Sequence, residues 1–240
     1  MKVLYRISDG GNVKNKLTFG SKLFCLKNFC GVFKDHEIII VADNCTEATL
    51  HGLLEINLKV IETSLGSLPA WRFCVEYAIK EFSDDKVVYF VEDDYLHLPD
   101  APSLIVEGLE LADYVTLYDH PDKYVDRENG GNPYVKNGGE TTRVLLSKSS
   151  HWKETNSTTH TFAVKVKTLK EDKLIWWKHT EQYHGLNDFE GFKQLSGKGS
   201  IYNYFLGKRR NLISCIPGRS THIELAHLTP LVNWNKLGGL

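Results

Sequence analysis

The chain has 240 residues, 42% of them hydrophobic and 25% charged, with a formal net charge of −1. That much apolar material can bury a full core, which sets disorder aside. So even a charge balance supplies no global basic field for nucleic acid or an anionic membrane, and an anionic ligand must be met by a few placed groups or a metal.

Val3 to Ile7 is an apolar run that breaks at Ser8-Asp9-Gly10-Gly11, a buried strand followed by a turn. The stripe Leu23, Leu26, Lys27 and Cys30 predicts a helix closed by Gly31 just past its end. A second strand is expected over Glu37 to Ala42, ending at Asp43-Asn44, and a weaker third over Leu58 to Glu62. Ser67 as N-cap and Pro69 then mark a helix whose apolar face is Trp71, Val75, Ala78, Ile79 and Phe82. Val87 to Val91 is a buried strand running into Glu92-Asp93-Asp94, followed by a helix over 103–111 and a strand over Tyr114 to Tyr118. Strand–helix alternation predicts an α/β fold, with a mostly parallel central sheet and helices on both faces.

From Asp119 to Gly139 the chain is polar and rich in Gly and Asn, and loops of that length are commonly functional or mobile. Beyond it, Thr141 to Leu146 suits an antiparallel strand, and Thr158 to Leu169 and Phe189 to Leu195 suit helices. The last forty residues read as loops with a final strand over Ile213 to Ile216. Neither repeats nor low-complexity linkers occur, so one domain over 1–240 is expected, its halves meeting near residue 118. Five scattered cysteines without a C-x-x-C pair suggest buried thiols in a reducing compartment. With neither an apolar leader nor the ~20 apolar residues of a membrane span, a cytoplasmic setting without a transmembrane segment is expected.

The acidic cluster carries the chemistry. Three adjacent carboxylates repel one another, and a cation or full exposure relieves that. Mn²⁺ and Mg²⁺ take oxygen ligands from one or two carboxylates plus substrate phosphates; the competing reading is a solvated acidic turn. Tyr-Phe-Val-Glu-Asp-Asp-Tyr (89–95) resembles the acidic DxD signature of GT-A glycosyltransferases. The resemblance implies the GT-A fold, Asp94 as ligand of Mn²⁺ or Mg²⁺, and Glu92 and Asp93 beside the donor. It also implies a nucleotide pocket lined by Arg6, Ser8 and Asp9, with Asp43 meeting the base or ribose. Ser64, Gly66 and Ser67 match the small-residue start of the helix after strand three, and Arg72, one turn inside, is placed to reach a phosphate or sugar hydroxyl.

His184-Gly-Leu-Asn-Asp188-Phe-Glu190-Gly-Phe192 resembles the His-rich, Asp-x-Glu-x-Phe helix start of small viral and bacterial transferases. There it implies Asp188 as general base, with Glu190 the second candidate; Asp188 equally suits a helix N-cap. Gly185-Leu186-Asn187 departs from the pattern and leaves His184 without a matched role. In the tail, His222 matches a late metal-binding histidine and Arg219 is placed to neutralise a departing diphosphate. The implied activity is metal-dependent transfer from a nucleoside-diphosphate sugar (UDP- or GDP-linked) to a glycan or other hydroxyl acceptor, with inversion at Asp188, and no nucleic-acid partner. Two other readings stand beside it. One is a non-catalytic carbohydrate-binding protein on a degenerate GT-A fold, with Trp152, Trp176, Trp177 and Trp234 stacking on sugars. The other is a sugar-nucleotide nucleotidyltransferase, for which Asp9-Gly10-Gly11-Asn12 is short and lacks basic residues. A P-loop enzyme is excluded by the missing G-x-x-x-x-G-K-[ST] motif.

Overall fold

A computed structural model describes residues 1–10, 15–181, 187–198, 201–206 and 208–239. The four apolar runs of the first half become β1 (Lys2–Ser8), β2 (Glu37–Asp43), β3 (Lys59–Thr63) and β4 (Val87–Glu92), parallel in the order β3-β2-β1-β4. The sheet continues from β4 through β9 (Phe162–Lys165), β6 (Tyr114–Thr116), β10 (Leu212–Ile216), β8 (His151–Thr155) and β7 (Val144–Leu146). Within it only β8 and β9 run against the other strands. A separate antiparallel ribbon joins β5 (Tyr95–His97) to β11 (Ser220–His222).

Side chains alternate across a pleated strand, and both faces of this sheet are covered. On β1, Val3, Tyr5 and Ile7 face a cluster with Phe29 of α1 (Lys22–Val32), Leu53 of α2 (Glu47–Leu54) and Leu104 of α4 (Ala101–Leu111). Leu4 faces the other layer, with Trp71 and Val75 of α3 (Ser67–Glu81), Trp176 of α5 (Val166–Lys178) and Phe192 of α6 (Asp188–Ser196). A short α7 (Ile201–Leu206) follows α6. Among the described residues, no helix is long and apolar enough to cross a membrane.

Several expectations need correcting. Gly31 lies inside α1, which runs to Val32 with Phe33 as its C-cap. Ser67 is the first residue of α3; its N-cap is Gly66 at φ +88°, with no side-chain cap bond. The helix expected from Thr158 begins only at Val166, because Phe162, Ala163 and Val164 form a fully buried strand paired with β4 on one side and β6 on the other. Elements α2, β8 and α7 were not foreseen. The polar segment after β6 is not structureless. It forms short 3₁₀ turns at Pro121–Tyr124 and Arg127–Asn129. Beneath it the buried Lys123 donates to Asn156 Oδ1 (2.5 Å) and Ser157 Oγ (2.8 Å), and Lys153 pairs with Asp119 at 2.8 Å.

Candidate active site

At the carboxyl ends of β1, β2 and β4 the chain leaves the sheet and opens a cleft of about 720 Å³. Open parallel sheets bind ligands at this edge, in cavities of this size. Arg6, Ser8, Asp9, Asp43, Gly66, Glu92 at the end of β4 and Asp93 and Asp94 just after it all line it, as do Asp188 and His222 from the second half.

The three carboxylates have different partners. Glu92 Oε1 accepts from Arg6 Nη2 at 2.7 Å, while Arg6 Nη1 donates to the Ser67 carbonyl at 2.6 Å, tying β4 and β1 to the start of α3. Asp93 Oδ2 accepts the Ser8 N–H at 2.9 Å and lies 3.3 Å from Lys22 Nζ. Burial raises both acids above the ordinary carboxylate range, opposed by Arg6 at Glu92 and by Lys22 at Asp93. Asp94 points elsewhere, its Oδ2 3.0 Å from His222 Nε2. The two are 128 positions apart in sequence, and the ribbon joins them: β5 begins at Tyr95, whose register partner on β11 is His222.

Asp43 is almost fully buried. Its carboxylate accepts from Thr63 Oγ1 (2.9 Å) and from the backbone N–H groups of Leu65 (2.7 Å) and Gly66 (3.0 Å), so it shapes the loop before α3. Asp9 likewise accepts from the N–H and hydroxyl of Thr46, the N-cap of α2. The buried Asp43 and the partly exposed Asp9 thus fix the backbone that forms the cleft wall.

Across the cleft, Asp188 opens α6. The N-cap is its neighbour Asn187, whose Oδ1 accepts the Glu190 N–H at 3.1 Å. Asp188 accepts the N–H of Phe189 at 2.8 Å, and burial lifts its carboxyl to about 7. Oδ2 lies 3.8 Å from Nδ1 of His160, a buried imidazole that burial holds neutral.

Several residues singled out from the sequence stand away from the cleft lining. Arg72 donates to Thr180 Oγ1 (2.9 Å) and the Trp177 carbonyl (2.6 Å), joining α3 to the end of α5 away from the cleft lining. Arg219 pairs with Asp100 at 2.8 Å and bonds the Pro217 carbonyl; its charge is engaged outside the cleft. Glu190 turns along α6 to Lys193 at 2.7 Å, and Ser64 is exposed beside the cleft without lining it. Trp152, Trp176 and Trp234 are buried in the core, and Trp177 carries the Arg72 and Lys173 cations, which removes the proposed stacking platforms. His184, with Gly185, Leu186, Gly11 and Asn12, lies outside the described residues. Conversely, Lys16, Lys22 and Thr159 line the cleft and were not foreseen; the only available signal was the run of lysines after the first turn.

Among the described residues, no three His, Cys, Asp or Glu side chains converge as a closed metal cage. The donor set nevertheless suits an ion that takes few protein ligands. Asp94 Oδ2 and His222 Nε2 lie 3.0 Å apart at the cleft, so one carboxylate and one imidazole could serve such an ion together. The Glu224 N–H approaches His222 Nδ1 at 3.3 Å, assigning the imidazole proton to Nε2. Asp94 and His222 would be the residues to hold such an ion, and it would supply positive charge within the cleft.

No protein-family model matches the sequence, and no curated protein matches it. Solved structures do. One is S. aureus TarS 1–349, at 17% identity and a TM-score of 0.42 over 72% of this chain; this chain spans about half (49%) of that structure. Another is the galactosyltransferase LgtC with donor and acceptor sugar analogues, at 10% identity and a TM-score of 0.45 over 90% of this chain and 86% of that one. A third is a CMP-2-keto-3-deoxy-manno-octonic acid synthetase with CTP, at 13% and 0.49 over 90% and 91%. The architecture expected from the sequence, α/β with a mostly parallel central sheet and helices on both faces, is the one observed.

Proposed function

We propose that the chain is a metal-dependent glycosyltransferase that moves a sugar from a nucleoside-diphosphate sugar to a hydroxyl acceptor. One observation carries the reading: the Asp94–His222 pair and the proton-accepting Asp188 line the same cleft. A divalent cation held by Asp94 and His222 would neutralise charge on the departing diphosphate. Lys16 and Lys22 add positive charge along the nucleotide side, and the Arg6–Glu92 pair holds the sugar side in place. Asp188 removes the acceptor proton, and a base on the far side of the donor favours a single displacement with inversion.

A second reading, nucleotidyl transfer, is favoured by those same lysines, which follow β1 and line the cleft. Product analysis separates the two: glycosyl transfer releases a nucleoside diphosphate, nucleotidyl transfer releases pyrophosphate. The test is a thermal-shift screen of UDP- and GDP-sugars with and without Mn²⁺, since a ligand that binds the folded state raises the melting temperature. The expected result is a shift with a nucleotide sugar that needs Mn²⁺ and is lost in Asp94→Asn. A shift indifferent to both metal and substitution would remove the metal assignment.

A further inference from the structure

The short helix α7 presents Ile201, Tyr202, Tyr204 and Phe205 to solvent, with Ile201 78% and Phe205 74% exposed. Ile201 and Phe205 are four residues apart and Tyr204 three, so these side chains share one face of the helix. Lys178 of α5 reaches over the Tyr202 ring at 4.8 Å, and Leu174, one turn earlier on α5, is 82% exposed. The patch therefore extends across two helices. A cluster of exposed large apolar residues is uncommon on a soluble surface and marks an interaction site.

Charge indicates the partner. Residues 198–210 contain Lys198, Lys208, Arg209 and Arg210 and no acid, in a chain of net charge −1. Arg210 is engaged with Asp113, Glu171 and Asp172; Lys178 and Arg209 are exposed against rings of the patch, and Lys198 and Lys208 are exposed in the sequence that flanks α7. The Arg209 guanidinium lies 4.1 Å from the centre of the Tyr204 ring. Tyrosine rings, aliphatic side chains and a cationic rim on a short helix are the features of an interfacial helix: apolar groups enter the acyl boundary and cations stay at the headgroups.

We infer that α7 and the exposed face of α5 dock the protein on an anionic lipid surface. The local charge achieves what the near-neutral whole does not. Docking is peripheral, with no crossing of the bilayer, and it is independent of the transferase reading.

Co-sedimentation of the full chain with phosphatidylcholine vesicles, with and without 30% phosphatidylglycerol, tests the inference with no sugar donor present. Binding is expected to anionic vesicles only and to weaken as salt rises. Lys208→Gln with Arg209→Gln should weaken it about 30-fold, at about 1 kcal/mol per cation near the surface. Ile201→Ser with Phe205→Ser should abolish it while leaving the melting temperature unchanged. The control Leu231→Ser, at an exposed leucine (89%) remote in sequence, should bind as wild type. Absence of wild-type binding to anionic vesicles overturns the proposal. So does a lipid-free dimer, seen by light scattering, that the Ile201/Phe205 variant dissociates, since a second copy would then cover the patch.

Discussion

Replacing Asp188 by Asn separates catalysis from helix capping, because the structure gives the cap to Asn187. The carboxyl of Asp188 rises from an ordinary 3.8 to about 7 through burial. A raised folded-state value means the fold holds this proton more tightly than the unfolded chain does. Stability from this group is therefore greatest at low pH and is lost as pH rises through about 7. The difference of roughly three pH units corresponds to a penalty on the order of 4 kcal/mol for the ionised side chain above pH 8. Asp188→Asn removes that penalty, so the variant should melt higher than wild type at pH 8, and the gap should narrow toward pH 4. The amide cannot accept a proton from a hydroxyl, and transfer should fall 10²–10⁴-fold while donor affinity is kept. In wild type, kcat/KM should rise through a limb near pH 7 rather than near 4. A variant with transfer within tenfold of wild type, or a wild-type acid limb near 4, would refute both the assignment and the burial argument behind it.

Gly66→Ala should cost about 1–3 kcal/mol and weaken nucleotide binding, since φ +88° with ψ 166° is a backbone region almost confined to glycine while the space around it is open; chemical denaturation and nucleotide titration read both. Arg72→Ala and Arg219→Ala should each lower the melting temperature and leave donor affinity unchanged, because their partners lie outside the cleft; a tenfold loss of donor affinity in either would restore a phosphate role. Proteolysis between Arg127 and Lys136 should slow when donor or acceptor binds, through closure of the loop over the cleft; equal cleavage rates with and without ligand would exclude a lid.

The first half was legible because β1, β2 and β4 have apolar centres and each ends at a polar turn. Its omissions are α2, which is short and begins after Thr46 in a polar stretch that also suits a turn, and the three-residue β5, which follows directly on the acid cluster. The second half misled for physical reasons. Phe162, Val166 and Leu169 fit a helical stripe, yet the first belongs to a strand and the last two to the helix that follows it directly. Strand β8 was hidden because a lysine at its centre, Lys153, reads as a surface residue until its buried partner Asp119 is known. The acid cluster could be found from its position after an apolar strand. The engagement of Arg72 and Arg219 could not, because Thr180 and Asp100 are brought to them only by folding.

The reversal of β9 has a further consequence. Because it runs against its neighbours, its beginning rather than its end lies at the edge where β4 ends, and the Glu92 N–H meets Thr161 Oγ1 there at 3.2 Å. One wall of the cleft thus comes from chain leaving the sheet, and part of the opposite wall, with Thr159 and His160, from chain entering it. The two walls are separate stretches of sequence, each anchored in the core by its own strand. Substitutions at Thr159 and His160 therefore alter one wall through a stretch of chain separate from the one that carries Arg6, Ser8 and Glu92–Asp94.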